Sequence, residues 1–143
     1  MITLTRKKYE IEEPIQIKGE DGSLLVDYIM KITPEEKLEI RDLIFDKQDV
    51  KDGRLMSKLE SEKNIDEVEQ LEEKILERAK ARQEKFENIV FKEQREIIKS
   101  KVGEYIYLDL VDSVFNFFVE AFVDKKAAQI NTITTSLRKI TGK

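Results

Sequence analysis

Hydrophobic and polar residues alternate in the first third of the chain. Apolar side chains stand at the odd-numbered positions Tyr9, Ile11, Ile15 and Ile17, with charged or amide side chains at most even-numbered positions between them. This period of two is typical of a β-strand with one buried face. Pro14 cannot donate a hydrogen bond to a neighbouring strand, so we expect this strand at the edge of its sheet.

A turn and a second alternating run follow. Residues 19–23 include the pair Asp21-Gly22, which is a strong signal for a hairpin turn. Apolar residues then recur at Leu24, Val26, Tyr28, Met30 and Ile32. The pattern predicts an antiparallel β-hairpin within residues 1–32, in which residues 1–5 could add a third short strand.

The pattern changes to a helical one at Thr33. Thr33 can cap a helix, Pro34 suits its first position, and Glu36 lies three residues after the cap, as a capping box requires. Apolar residues follow at helical spacing, at Leu38, Ile40, Leu43, Ile44 and Val50. We expect one helix from residue 33 that stops at residues 49–53, before or at Gly53.

Residues 54–100 contain neither Pro nor Gly and are dense in Glu, Lys, Gln and Arg, all good helix formers. They predict one long helix, with residues 61–64 as the place for a break. Its apolar stripe is narrow, and Arg78 and Arg82 interrupt any strict heptad. We therefore expect a solvated helix that contributes little to the core. A coiled coil with a partner, or with a second copy in a homo-oligomer, is the alternative.

The last segment, residues 101–143, is the most apolar one. After a break at Gly103, residues 105–123 are rich in Phe, Leu, Ile and Val, with the polar residues on one helical stripe. Asp109, Asp112 and Glu120 would be costly in lipid, which argues against a membrane span. Residues 124–143 predict a separate amphipathic helix. The expected fold is one mainly α domain with a small N-terminal β-hairpin, of the α+β class.

The composition excludes much chemistry. The 143 residues include no His, Cys or Trp, so the commonest general base, the thiol nucleophile and the soft metal ligands are missing. A net charge of −4, with Glu interleaved among the basic residues, disfavours a nucleic-acid surface. We expect no enzyme activity, no cofactor and no metal, and a function in binding other protein chains.

The C-terminal helices hold the candidate binding residues. Their aromatic and aliphatic side chains exceed what a thin, charge-rich body can cover, so part of them is expected to form a docking surface. The candidate partner-binding residues are Phe115, Phe118, Phe122, Ile130, Ile133, Leu137 and Ile140.

The layout resembles the tail assembly chaperones of phages and prophages of Firmicutes. The resemblance spans the whole chain in outline and rests on the opening residues 7–11 (KKYEI) with their hairpin, and on residues 111–123 (VDSVFNFFVEAFV) leading into residues 124–130. The long charged middle segment departs from it. The resemblance implies a protein of the bacterial host cytoplasm that binds the hydrophobic, helical tape measure protein and brings tail tube protein to it.

Two other functions remain as alternatives. A structural component of a tail or baseplate would bury the aromatic helix permanently in the finished particle, whereas a chaperone would be absent from it. A nucleic-acid-associated coiled coil would have to use the basic residues of segment 74–95, among which Glu residues are interleaved.

Overall fold

A β-hairpin followed by helices makes up the part of the chain that this computed structural model describes, namely residues 1–3 and 8–141, with side chains as far as residue 123. The chain divides into two units, residues 1–103 and 104–143. The elements of the first unit are β1 (Ile11–Lys18), β2 (Leu24–Ile32), α1 (Pro34–Ile44), α2 (Lys47–Ser61), α3 (Ile65–Phe91), a 3₁₀ turn (Lys92–Gln94) and α4 (Arg95–Val102). The second unit is the helix α5 (Glu104–Thr141).

The predicted hairpin is confirmed. β1 and β2 pair in antiparallel register, with Ile15 opposite Tyr28 and Ile17 opposite Val26. In the turn Gly22 adopts a positive φ of 82°, which an L side chain rarely adopts, and this explains the glycine. The third strand is not formed by residues 1–3, and residues 4 and 5 lie outside the described residues.

The predicted capping box at the start of α1 is also confirmed. The Thr33 hydroxyl accepts a hydrogen bond from the Glu36 amide at 3.1 Å, and the Glu36 carboxylate accepts one from the Thr33 amide at 3.0 Å. The Lys92 ammonium donates to the same carboxylate at 2.7 Å. Burial alone would raise the pKa of Glu36, but the hydrogen bonds from Lys92 and Thr33 outweigh it and lower that pKa.

The structure differs from the sequence expectation at the end of this helix. We expected a stop at residues 49–53, whereas α1 ends at Ile44 and α2 continues through Gly53 to Ser61. The reason is Asp46, whose carboxylate accepts a hydrogen bond from the Gln48 amide at 2.9 Å and so caps a new helix. A glycine inside a helix costs only about 1 kcal/mol, and α2 tolerates it.

A tight turn separates α2 from α3 within residues 61–64, the place that the sequence indicates for a break in the long helix. The Asn64 amide donates to the Leu59 carbonyl at 3.0 Å and the Lys63 amide to the Glu60 carbonyl at 3.1 Å. This pair of bonds is a Schellman motif, which needs a left-handed residue at the position of Lys63. Lys63 accordingly has a φ of 57°, although glycine is the residue best suited to it.

Replacing Lys63 with glycine is therefore expected to raise the free energy of unfolding by about 0.5–1 kcal/mol, because it removes the steric cost of the left-handed backbone. Urea unfolding followed by circular dichroism would measure the change. The matched control is Lys58→Gly within α2, which should lower the same quantity by about 1 kcal/mol. Equal losses from both substitutions would contradict the assigned turn.

The core of the first unit lies between the inner face of the hairpin and the helices, where β2 packs on α3 and α4, and α3 packs on α1. Its most buried apolar side chains are Val26, Met30, Ile32, Ile40, Phe86, Val90, Phe91 and Ile98. The expectation that residues 54–100 contribute little to the core is therefore wrong. The C-terminal end of α3 supplies the centre of the core, and only the preceding part of that helix is largely solvated.

A sharp change of direction follows the core end of α3. Lys92 has a φ of 52° and a ψ of −129°, a combination that strains any residue with a side chain. The Arg95 guanidinium donates to the Glu87 carboxylate at 3.3 Å across this bend, so a carboxylate that is only 4% exposed is paired. This ion pair spans Lys92 and connects the end of α3 to the start of α4.

The second unit begins after Gly103, whose φ of 84° ends α4 at the predicted break. We expected two helices here, residues 105–123 and 124–143. The structure has one helix, α5, which runs from Glu104 to Thr141. Residues 104–141 contain neither Gly nor Pro, so nothing in the backbone chemistry interrupts the helix at residue 124.

Candidate partner-binding surface

Helix α5 has one buried stripe. Tyr107, Val111, Val114 and Phe118 are each at most 6% exposed. Their spacings of four, three and four residues place them on a single face of a helix with 3.6 residues per turn. The side chains of this stripe are therefore unavailable to a partner while the fold stays as described.

Large apolar side chains flank that stripe on both sides and remain exposed. Ile106 and Phe117 are three turns apart on one flank, and Leu108 and Phe115 two turns apart on the other. Their exposed fractions lie between 37% and 46%. We call these four residues the α5 apolar surface. Tyr105 and Val123 are also exposed, closer to the polar edge of the helix.

The three aromatic residues selected from the sequence fall into different environments. Phe115 belongs to the α5 apolar surface, Phe122 is half-buried, and Phe118 is fully buried. The Phe118 ring lies 5.3 Å from the Phe117 ring, edge to face, and 6.5 Å from the Phe122 ring. Phe118 thus packs against the exposed Phe117 ring, but its own side chain is not accessible to a partner.

The other selected residues, Ile130, Ile133, Leu137 and Ile140, lie outside the side chains that the structure describes. Sequence reasoning missed Ile106, Leu108 and Phe117. The signal was present, because apolar residues cover well over half of the helical wheel for residues 105–123 and only the central part of such an arc can be buried against one neighbour. The excess of aromatic residues predicts a docking surface, but aromatic character alone does not distinguish the buried Phe118 from the exposed Phe117.

The polar edge of α5 is acidic. Asp109, Asp112 and Glu120 are all exposed, and residues 104–123 contain no Lys or Arg. The Ser113 hydroxyl donates a hydrogen bond to the Asp109 carbonyl of the same helix at 2.9 Å. Within residues 104–123, every charged side chain beside the exposed apolar residues is therefore negative, which disfavours acidic partners.

Electrostatic contacts of a different kind join α2 to α3 in the first unit. The Arg78 guanidinium donates to the Asp52 carboxylate, which also accepts a hydrogen bond from the Gln48 amide group at 3.0 Å. One turn further, Arg82 donates to Asp49 at 2.8 Å. The two arginines that interrupt the apolar pattern of α3 thus form ion pairs with carboxylates of α2.

The hydrogen bonds from Arg78 and Gln48 hold the pKa of Asp52 below its usual value of about 3.9, although burial opposes them. The folded state therefore binds protons less readily at this site than the unfolded chain. The resulting stability is fully present above pH 4 and is lost as the pH falls through the lower pKa of the folded state.

We accordingly expect the melting temperature to stay nearly constant between pH 6 and 8, because the chain has no His or Cys, and to fall steeply below about pH 4. Thermal unfolding followed by circular dichroism between pH 3 and 8 would measure this. Asp52→Asn is the matched variant, and its melting temperature should fall less on acidification. Identical acid losses in both proteins would show that this pair does not contribute.

Chemical sites of other kinds are not found in the described residues. No group of three or more His, Cys, Asp or Glu side chains there could hold a metal ion. No helix among those residues is both long enough and apolar enough to cross a membrane. In the part of the chain with described side chains, every buried polar side-chain atom has a hydrogen-bond partner.

Comparison with known proteins does not identify a family for this chain. No protein-family model, no curated protein and no solved structure matches the chain.

Proposed function

We propose that this chain is a phage tail assembly chaperone, which binds the hydrophobic, helical tape measure protein and assists assembly of the tail tube. The observation that carries the proposal is the α5 apolar surface. Clusters of exposed apolar side chains are a feature of surfaces that bind other proteins. The tape measure protein is proposed as the partner because the layout of the chain resembles that of tail assembly chaperones.

The chemistry of α5 suits a helical client. An amphipathic helix binds by laying its apolar face against exposed apolar side chains, and the two flanks of α5 present such side chains over three helical turns. The acidic edge keeps this surface hydrated when no client is bound. A chaperone of this kind needs no catalytic group, and we infer that the chain has none.

The proposal is tested by co-expression with a helical fragment of the cognate tape measure protein. The variant Phe115→Asp/Phe117→Asp places a carboxylate on each flank of α5 and is expected to reduce the soluble fraction of the fragment at least fivefold. The matched control, Asn116→Asp, adds a carboxylate between them on the polar edge and should retain wild-type activity. Circular dichroism verifies that both variants are folded.

The chaperone proposal is wrong if the wild type fails to keep the fragment in solution, or if the folded double variant keeps it in solution equally well. The alternative, a structural component of a tail or baseplate, predicts that the chain is present in purified particles in fixed stoichiometry. A chaperone is absent from them, so the protein composition of the particles distinguishes the two functions.

A further inference from the structure

A groove with a volume of about 620 Å³ lies between α1 and α3 in the first unit. Leu43 from α1 and Ile89 from α3 line it, and both side chains are half-buried. Val90, which follows Ile89, is fully buried. Ile40, which lies one helical turn before Leu43, is also fully buried. The apolar floor of the groove is thus continuous with the core and is held in place by it.

The wall on the α1 side is acidic. Glu39, Asp42 and Asp46 follow one another at spacings of three and four residues and all line the groove. Asp42 has a long contact of 3.5 Å with its neighbour Arg41. The Asp46 carboxylate caps α2 through the Gln48 amide, and its contact with the Arg82 guanidinium is 3.9 Å. Glu39 has no ion-pair partner among the described residues. Most of this negative charge is therefore not neutralised within the chain.

The opposite wall does not compensate for that charge. Lys85 is the one cation among the described residues that line the groove, and it forms no ion pair with Glu39, Asp42 or Asp46. The lining therefore carries three carboxylates against one ammonium group. An apolar floor with an unneutralised acidic wall attracts a ligand that is apolar on one side and positively charged beside it.

We propose that this groove binds an amphipathic helix of a partner protein, whose apolar residues rest on Leu43 and Ile89 and whose Lys or Arg residues face the α1 wall. A helix fits because its side chains at positions i and i+4 point to one side and leave an adjacent flank for the charges. The groove belongs to the first unit and shares no residue with the α5 apolar surface.

Two labelled peptides test the proposal on the purified full chain. Both are helical 15-residue peptides with the same leucine stripe and a neutral glutamine flank, and they differ only in the other flank, which is lysine in one and glutamate in the other. Fluorescence anisotropy should show that the wild type binds the lysine peptide at least tenfold more tightly, a difference of about 1.4 kcal/mol.

The variant Glu39→Lys/Asp42→Lys should reverse this preference. Its matched control is Glu69→Lys/Glu72→Lys, which makes the same change in net charge at exposed positions of α3 that do not line the groove. The control should keep the wild-type preference. All four positions are exposed, so both variants are expected to fold, and circular dichroism verifies this.

The proposal is overturned if the wild type binds the two peptides equally or binds neither. It is also overturned if the control loses the preference to the same extent, because binding would then follow overall charge and not the groove. Only the purified chain and the peptides are used, so the outcome is independent of whether α5 binds a tape measure protein.

Discussion

Replacing Phe91 with alanine is expected to lower the free energy of unfolding by about 3–5 kcal/mol. Phe91 is fully buried at the end of α3, and its ring lies 6.2 Å from the Tyr28 ring of β2. Tyr28 is in turn tied to the same helix, because its hydroxyl donates to the Val90 carbonyl at 2.9 Å. Removing the Phe91 ring would open a cavity between the hairpin and α3 and loosen this junction.

Chemical unfolding in urea measures this effect, with circular dichroism reporting on the helices and tyrosine fluorescence on the four tyrosines together, Tyr28 among them. The matched control is Leu76→Ala on the same helix. Leu76 is 55% exposed, so this change should alter the free energy of unfolding by less than about 0.5 kcal/mol. If both substitutions cost the same, α3 does not supply the centre of the core.

The second large effect is expected for Phe118→Asp. Phe118 is 0% exposed, so the new carboxylate would be buried without a partner and the ring contacts with Phe117 and Phe122 would be lost. We expect the free energy of unfolding to fall by about 4 kcal/mol or more. Because the buried carboxyl group should have a raised pKa, the loss should be smaller at pH 4 than at pH 7.

The control for this prediction is Phe115→Asp, three residues earlier on the same helix. Phe115 is 38% exposed, so its substitution should cost about 1 kcal/mol or less. Thermal unfolding of both variants at pH 4 and pH 7 measures the contrast. Similar stability of the two variants would mean that the buried and exposed faces of α5 have been assigned wrongly.

Local signals explain what the sequence could predict. The hairpin depends on strand alternation and on Gly22, and the start of α1 depends on three residues within four positions, Thr33, Pro34 and Glu36. Each signal acts through neighbouring backbone groups, so it needs no knowledge of the rest of the chain. The α+β class followed from these two signals together with the helix-forming composition of the remaining residues.

Long-range pairs explain what the sequence could not predict. In the sequence, Arg78 only interrupts the apolar stripe of its helix. In the structure it pairs with Asp52, 26 residues earlier. Phe91 likewise packs beside Tyr28 of β2, which lies far away in sequence. Periodicity within one helix cannot identify such partners, and the core role of α3 was therefore missed.

The candidate site was predicted in part for a related reason. The sequence identified residues 105–123 as the apolar segment, but the hydrophobicity of a residue does not tell which side of a helix is covered. Phe118 and Phe115 are chemically identical, and only the fold makes one buried and the other exposed. The groove between α1 and α3 was not foreseen, because it depends on how two helices from distant segments pack together.

The position of Pro14 has a consequence for how the protein behaves at high concentration. The sheet has only two strands among the described residues, so the outer side of β1 offers unpaired backbone groups to any extended chain nearby. Pro14 has no amide hydrogen, and Glu12 and Glu13 place two negative charges beside it. These features disfavour edge-to-edge pairing of identical copies into fibrils. Such protection matters for a protein proposed to bind an aggregation-prone client.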